Sequence, residues 1–325
     1  MMRARAIVMG GSGFIGSHLV SALARSGVYA EILSLDRNPP PEPALGVRYL
    51  EVDLTDRISP DVGSPGATIY NLAAIRDFPG HPTADYYENN IVSCQRIIDF
   101  AEETDAKTIL FTSTMSVYGT GESPKTESSA LAPTNPYGHS KAIGECLNEG
   151  WLIRGRDRRL IICRPAVIFG RMDRGNFTRL ARLLERRMFV YVGRRDTIKS
   201  SGYVSDLVRS FEFCLSREDR MITYNFAYPK PYTIEDVVEA FVRVGGYRQP
   251  RLTLPLGLLK SAAACFEALD ALGIKNPIHR DRIVKLNEST HIVPKWLTEN
   301  GFTFETDLNS ALRGWRSESR LRPFE

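Results

Sequence analysis

A chain of 325 residues exceeds the ~100–200 residues usual for one domain, so one large or two coupled domains are expected. With 43% apolar and 25% charged residues, it has the balance of a soluble protein that can bury a sizeable core. The net charge of +4 is small, and no run of Lys and Arg interleaved with aromatics offers a nucleic-acid surface.

The first half alternates strand-like and helix-like segments. Strands are expected over 4–9, 31–35, 47–52, 67–71, 108–112 and 160–163, and helices over 14–25, 86–103 and 136–153. This alternation predicts parallel βαβ units: an α/β, doubly wound Rossmann sheet with right-handed crossovers and ligands at the carboxyl ends of the strands. The proline-rich stretch 39–43 reads as a stiff surface turn after the second strand. After Pro165 the pattern changes to a basic amphipathic helix over 177–187, a helix over 233–244 opened by a capping arrangement at Thr233, and helix-rich sequence beyond. The expected division is a Rossmann domain over 1–170, rejoined by 196–222, and a smaller, mostly helical substrate domain from 171–195 and 223–325.

Cys94, Cys146, Cys163, Cys214 and Cys265 are scattered and odd in number, with no C-x-x-C pair. That argues against a disulfide framework or a metal site and for reduced thiols in the cytoplasm. The start of the chain runs straight into a strand and a glycine loop, unlike a signal peptide. No apolar run reaches the ~20 residues needed to span a bilayer. The nearest, 254–274, is broken by Lys260, Glu267 and Asp270 and reads as an amphipathic helix packed on the domain, with membrane-surface contact as the alternative.

Gly10, Gly13 and Gly16 follow the first strand and open a helix. One glycine serves the tight turn, another lets backbone approach a pyrophosphate, and the last lets helix and strand pack closely. The helix start, at Phe14 and Ile15, faces the phosphates. Asp36 ends the second strand, where a carboxylate accepts from the adenosine ribose hydroxyls. It favours NAD over NADP, whose 2′-phosphate would meet like charge, although the adjacent Arg37 suits a phosphate. Asp53 and Leu54, after the third strand, can bracket the adenine.

Tyr137 and Lys141 stand four apart on one helix face. A tyrosine with a free pKa of ~10 is a poor base at neutral pH, and a neighbouring ammonium stabilises its phenolate. Lys141 can also hold the nicotinamide ribose. Thr114 leaves the fifth strand where the ligand should lie and can bond the reacting oxygen beside Tyr137. Ser113 and Ser116 are substrate candidates.

Together these residues resemble the extended short-chain dehydrogenase/reductases, in particular the NAD-dependent epimerase/dehydratase group acting on nucleotide sugars. The motifs are Gly10–Gly16, Asn71-Leu72-Ala73-Ala74, Asn90, Ser113–Gly119, Tyr137 with Lys141, and Arg164-Pro165 leading to Phe169-Gly170. The resemblance implies that Leu72, Ala73 and Ala74 line the adenosine half and that Asn90 braces the active-site region. It places the backbone of Pro165 to Val167 at the carboxamide, and the chain's return to the Rossmann domain at Tyr203-Val204-Ser205-Asp206. Lys199 stands near the place where many members carry an arginine toward the substrate diphosphate, which keeps a charge and loses bidentate recognition. Arg174 and Asn176 are substrate candidates within a basic stretch that includes Arg171, Arg179, Arg182, Arg186, Arg187, Arg194 and Arg195; Arg76, just past Ala73-Ala74, is another, and so is Arg282, in a stretch over 282–286 that resembles one near the sugar-nucleotide pocket. A homodimer through the helices over 86–103 and 136–153 is implied as well.

Three readings of the function follow. A 4-epimerase removes a proton through Tyr137 while NAD takes and returns a hydride through a keto intermediate. A reductase or dehydrogenase of a keto-sugar nucleotide uses the same residues for one transfer. A sensor keeps the fold without chemistry. Met115 and Ser116 stand where dehydratases of the family carry an Asp-Glu pair, which argues against dehydration.

Overall fold

The computed structural model describes residues 3–76, 80–257, 287–319 and 322–325. Cys265, Arg282 and most of the helix expected over 254–274 lie outside them. The first half runs β1 (Arg3–Met9), α1 (Phe14–Ser26), β2 (Tyr29–Asp36), β3 (Val47–Glu51), β4 (Thr68–Asn71), α2 (Thr83–Glu103), β5 (Thr108–Thr112), β6 (Gly121–Lys125), α3 (Pro136–Ile153) and β7 (Arg159–Pro165). There follow β8 (Val167–Phe169), α4 (Asn176–Glu185), β9 (Tyr191–Val192), β10 (Ser201–Tyr203), α5 (Val204–Leu215), β11 (Met221–Phe226), α6 (Ile234–Gly245) and β12 (Thr253–Leu254). The last described elements are β13 (Thr290–Ile292), α7 (Lys295–Glu299) and α8 (Leu308–Glu318).

Seven strands form one sheet in the order β11-β7-β5-β4-β1-β2-β3. Every neighbouring pair is parallel. The central strands β4, β5 and β7 are buried on both faces, whereas the edge strand β3 leaves Arg48 and Glu51 exposed. Successive side chains alternate between two cores: Ala6, Val8, Leu110 and Ile161 face one, and Ile7, Met9, Ile109 and Leu160 face the other. The first core holds α1 residues Leu19, Val20 and Leu23 and α5 residues Leu207 and Phe211. The second holds α2 residues Ile97, Ile98 and Ala101 and Trp151 of α3. The order reverses between β1 and β4, the switch point at which a doubly wound sheet opens a crevice.

The sheet extends past the expected return to the Rossmann domain at residue 222. β11 continues to Phe226 and pairs with β7 from Met221↔Leu160 to Phe226↔Pro165. Phe226 is buried in the first core, and the strand lies at the sheet edge beside β7, its partners 61 residues earlier in sequence. Leu254, expected at the start of a helix, ends β12, which pairs with β9. Thr233 does cap α6, with a capping box to Asp236.

Two buried polar clusters hold the later segments in place. The Asp206 carboxylate accepts from Glu305 N (3.0 Å), Thr306 N (3.2 Å) and Thr306 Oγ1 (2.7 Å), which ties the chain before α8 to the first turn of α5. Arg164, in β7, donates to both oxygens of Glu145 on α3 (2.9 and 2.6 Å) and to Tyr118 Oη (2.8 Å). Tyr118 in turn donates to Asn225 Oδ1 of β11 (2.8 Å). With side chains only 8% and 2% exposed, Arg164 and Glu145 are nearly out of water, so removing one strands the other's charge. Arg164→Met should lower stability by about 3–5 kcal/mol in urea unfolding, and Arg164→Met with Glu145→Met should recover most of it. A single-variant loss below about 1 kcal/mol, the surface-pair range, would show that the pair is not holding these elements together.

Candidate active site

The carboxyl ends of the strands carry the sequence motifs side by side. Following the sheet order, Val52 to Leu54 follow β3, Asp36 ends β2, the glycine loop follows β1, Leu72 to Ile75 follow β4, Ser113 to Ser116 follow β5, and Pro165 to Val167 span the end of β7. Four strand spacings of about 4.8 Å put roughly 19 Å between the β2 and β7 ends, enough for an extended dinucleotide.

At the β3-to-β4 side is a cavity of about 320 Å³ lined by Gly10, Ser12, Gly13, Asp36, Arg37, Leu54, Leu72, Ala73, Ala74 and Asn90, among others. Gly10 has φ +84°, and a Cβ there would meet Ala73 N at 2.9 Å. A Cβ on Gly16 would meet Gly10 O at 2.2 Å, so the α1 backbone rests directly on the loop. Gly13 is the N-cap of α1 with no side-chain hydrogen bond, and no acid occupies the first turn. The N–H groups of the first turn, at Phe14, Ile15 and Gly16, therefore have no capping side chain, as an anion site requires. Phe14 and Ile15 direct partly buried side chains to the first core.

Asp36 accepts from Ser12 N through one oxygen (3.1 Å) and from Asn38 N through the other (3.0 Å). Each oxygen keeps a lone pair for a ribose hydroxyl. Arg37 donates to Asn89 Oδ1 (3.1 Å) at the cavity wall. Asp53 is not among the lining residues; its carboxylate accepts from Thr55 N (2.9 Å) and Thr55 Oγ1 (2.8 Å), bonds that hold its pKa below the usual range. Val52 and Leu54 line the cavity on either side of it. Both amide atoms of Asn71 and the hydroxyls of Thr112 and Ser113 are buried without a hydrogen-bond partner among the described residues. A loop with a bare helix start, an acceptor pair at Asp36 and orphaned polar groups at the strand ends together fit a dinucleotide.

The end of the sheet edge away from Asp36 is formed by β5 and α3. Thr114 Oγ1 accepts from Ser116 N (3.2 Å) and retains its own proton to donate. Asn135 caps α3 by accepting from Gly138 N (2.9 Å), with Pro136 in the first turn. Tyr137 is therefore in the first turn, half-buried, and Lys141 is one turn further in, buried. Gly138 sets the approach of the two elements: a Cβ there would meet Ser116 O at 2.5 Å. Asn90 joins three segments, donating to Ser140 Oγ (2.9 Å) and Ile75 O (3.1 Å) and accepting from Ile75 N (2.8 Å). It braces the Tyr137 helix against the cavity wall.

Lys141 Nζ lies 4.1 Å from the centre of the Phe111 ring. Burial lowers its pKa to about 8, opposed by attraction to Cys94 on α2 and Glu145 on α3. A cation this poorly hydrated favours an ionised phenol beside it.

The substrate candidates are not gathered into one cluster. Arg76 reaches Asp173 at 3.9 Å, and that buried carboxyl has its pKa raised by burial. Arg174 and Asn176 are exposed at the start of α4. Lys199 donates to Glu288 O (2.6 Å), and burial lowers its pKa to about 8. Ser116 is half-buried in the turn below Tyr137. Ser12, Asn38, Val52, Ile75, Asn89 and Ser93 also line the cavity and were not anticipated. Only the paired asparagines on an otherwise amphipathic α2 signal any of them in the sequence.

These features define an extended Rossmann enzyme with a tyrosine–lysine centre. Residues 6–227 match the model of the NAD dependent epimerase/dehydratase family, and the chain belongs to that family. It is 26% identical over 319 residues to the N-acetyl-alpha-D-glucosaminyl-diphospho-ditrans,octacis-undecaprenol 4-epimerase of Escherichia coli O157:H7, covering 96% of this chain and 94% of that one. Among solved structures, it is similar in fold to MoeE5 in complex with UDP-glucose and NAD (TM-score 0.76, 22% identity, 96% and 97% covered). It is also similar to the UDP-glucose 4-epimerase of Thermotoga maritima with UDP-glucose (TM-score 0.74, 18% identity, 96% and 97% covered). Among the described residues, no helix is long and apolar enough to cross a membrane.

Gly138→Ala should lower kcat about 100-fold while leaving cofactor affinity nearly unchanged, because an ångström-scale displacement moves Tyr137 from Thr114. Unaltered kcat would show that Ser116 O yields to a Cβ. Lys141 binds fewer protons folded than unfolded between pH 8 and its unfolded value near 10.5. Its burial therefore costs stability in full below pH 8, and the cost is relieved as pH rises through that window. Relative to Lys141→Met, the wild-type protein should gain stability from pH 8 to 10. Parallel curves would contradict a depressed Lys141 pKa.

Proposed function

We propose that the protein is an NAD-dependent 4-epimerase of a nucleotide-diphosphate sugar. The observation that carries this reading is the sequence of groups along one sheet edge, from the glycine loop and Asp36 to Thr114, Tyr137 and Lys141. NAD, when bound, supplies a reversible acceptor for the carbon-bound hydrogen. Asp36 would hold the adenosine ribose, the α1 start the pyrophosphate, and Lys141 the second ribose. Thr114 donates to the sugar oxygen, and Tyr137 Oη takes its proton and later returns it. Dehydration finds no support, since Met115 and Ser116 replace an acid pair. The reductase reading uses the same residues and differs in releasing reduced cofactor. The intact Thr114, Tyr137 and Lys141 set support chemistry over sensing.

One observation favours a second reading of the substrate. The relative matching this chain nearly end to end takes a sugar diphosphate on a polyprenol, so the diphosphate here would carry a lipid in place of a nucleoside. Arg76, Arg174 and Asn176 would serve either diphosphate; Lys199 would need to leave Glu288 O to join them. The exposed Val92 (38%) of α2 and Ile143 (40%) and Ile153 (78%) of α3 support a homodimer across these helices. The absence of a spanning helix among the described residues and the unpaired Cys94, Cys146, Cys163 and Cys214 are in keeping with a cytoplasmic location.

Purified protein should convert UDP-N-acetylglucosamine, UDP-glucose or the undecaprenyl-diphosphate sugar to its 4-epimer, seen by NMR, with no net reduction of NAD. Stoichiometric reduced cofactor would instead establish the dehydrogenase. Tyr137→Phe should lose ~10²–10⁴-fold in turnover with NAD retained, and persistent turnover would remove Tyr137 from its role.

A further inference from the structure

Residues 171–188 hold six arginines against two acids, and the structure separates the basic residues of this region by environment. Arg171, Arg194 and Arg195 are paired with Glu42, Glu122 and Glu235. Arg174, Arg179, Arg182, Arg186 and Arg187 are exposed, and among the described residues none of them forms an ion pair.

α4 explains the arrangement. Phe177, Leu180, Ala181 and Leu184 are buried in the first core, with the Phe177 ring stacked on Phe169 at 4.3 Å. The opposite arc carries Arg179, Arg182, Leu183 and Arg186, spaced i, i+3, i+4 and i+7. Leu183 is 40% exposed and Met188, just beyond the helix, is 64% exposed. A solvated helix face has no need of these aliphatic tips among its cations, whereas a surface that meets lipid uses both.

We propose that this face docks the protein peripherally on an anionic lipid bilayer. The arginines meet the headgroup charge, and Leu183 and Met188 enter the boundary between headgroups and acyl chains. The arc lacks the aromatics on which a nucleic-acid surface stacks bases. The location is functional. The loop entering α4 contains Asp173, 3.9 Å from Arg76, which directly follows the cavity-lining Leu72 to Ile75. The helix that carries the docked face thus follows directly on a loop that borders the site. This surface goes beyond the epimerase reading and serves a substrate on either carrier.

The test is co-sedimentation of the full chain with vesicles of phosphatidylcholine containing about a third phosphatidylglycerol, against pure phosphatidylcholine. Binding to the anionic vesicles alone, reversed by salt, is expected. At about fivefold per arginine, Arg182→Ala with Arg186→Ala should weaken partitioning about 25-fold, with thermal stability and turnover of a soluble UDP-sugar unchanged. Leu183→Ser should weaken it further. No vesicle binding, equal binding to both vesicles, undiminished binding by the double variant, or tighter retention on homopolymeric RNA would overturn the proposal. A wild-type chain that docks on the vesicles but does not turn over any UDP-sugar would instead count against the epimerase reading.

Discussion

Backbone meets backbone at three glycines, and the geometry of the site depends on those contacts. Gly10 lies against Ala73, bringing the loop after β1 onto the segment after β4 and closing one end of the cavity. Gly16 lies against Gly10 and Gly11, which brings the uncapped start of α1 to the same edge. Gly138 lies against Ser116, which lowers the Tyr137 helix onto the turn that begins at Thr114. A methyl group at any of the three would displace main chain, and main chain carries every other functional group with it. The three contacts therefore act as fixed spacers along the crevice.

The rest of the molecule keeps those spacers in register. Parallel pairing places the motifs in spatial order along the sheet edge, although they come from strands separated by up to about half the chain. Asn90 couples the cavity wall to the helix of Tyr137, and the Arg164–Glu145 pair fixes that same helix to β7. Lys141 is held where water cannot hydrate it, at the cost of stability that its depressed pKa records. A buried ammonium adds little to the core, so the fold bears this cost to keep Lys141 one turn from Tyr137 on α3.

Much of this was legible in the sequence for a physical reason. Gly10, Gly13, Gly16, Tyr137 and Lys141 act through local spacing, and the bounds of β5 and α3 coincide with those expected, since a strand bounded by polar residues and a helix opened by Asn-Pro carry their own signals. What escaped depends on partners distant in sequence. β11 joins the sheet through pairing with β7, which its own residues do not encode. Lys199 matches the position of a phosphate-binding cation, yet its ammonium meets the carbonyl of Glu288. The basic stretch looks uniform as sequence and divides in space into paired and solvent-facing arginines.

The proposed 4-epimerase removes and returns the same hydrogen at a sugar carbon within one site. The most direct measurement uses a UDP-sugar deuterated at C4, incubated with purified enzyme, with the 4-epimer analysed by mass and NMR. The epimer should keep its deuterium, with the cofactor oxidised at the end as at the start. Deuterium lost to water, or carried off on released reduced cofactor, would contradict it.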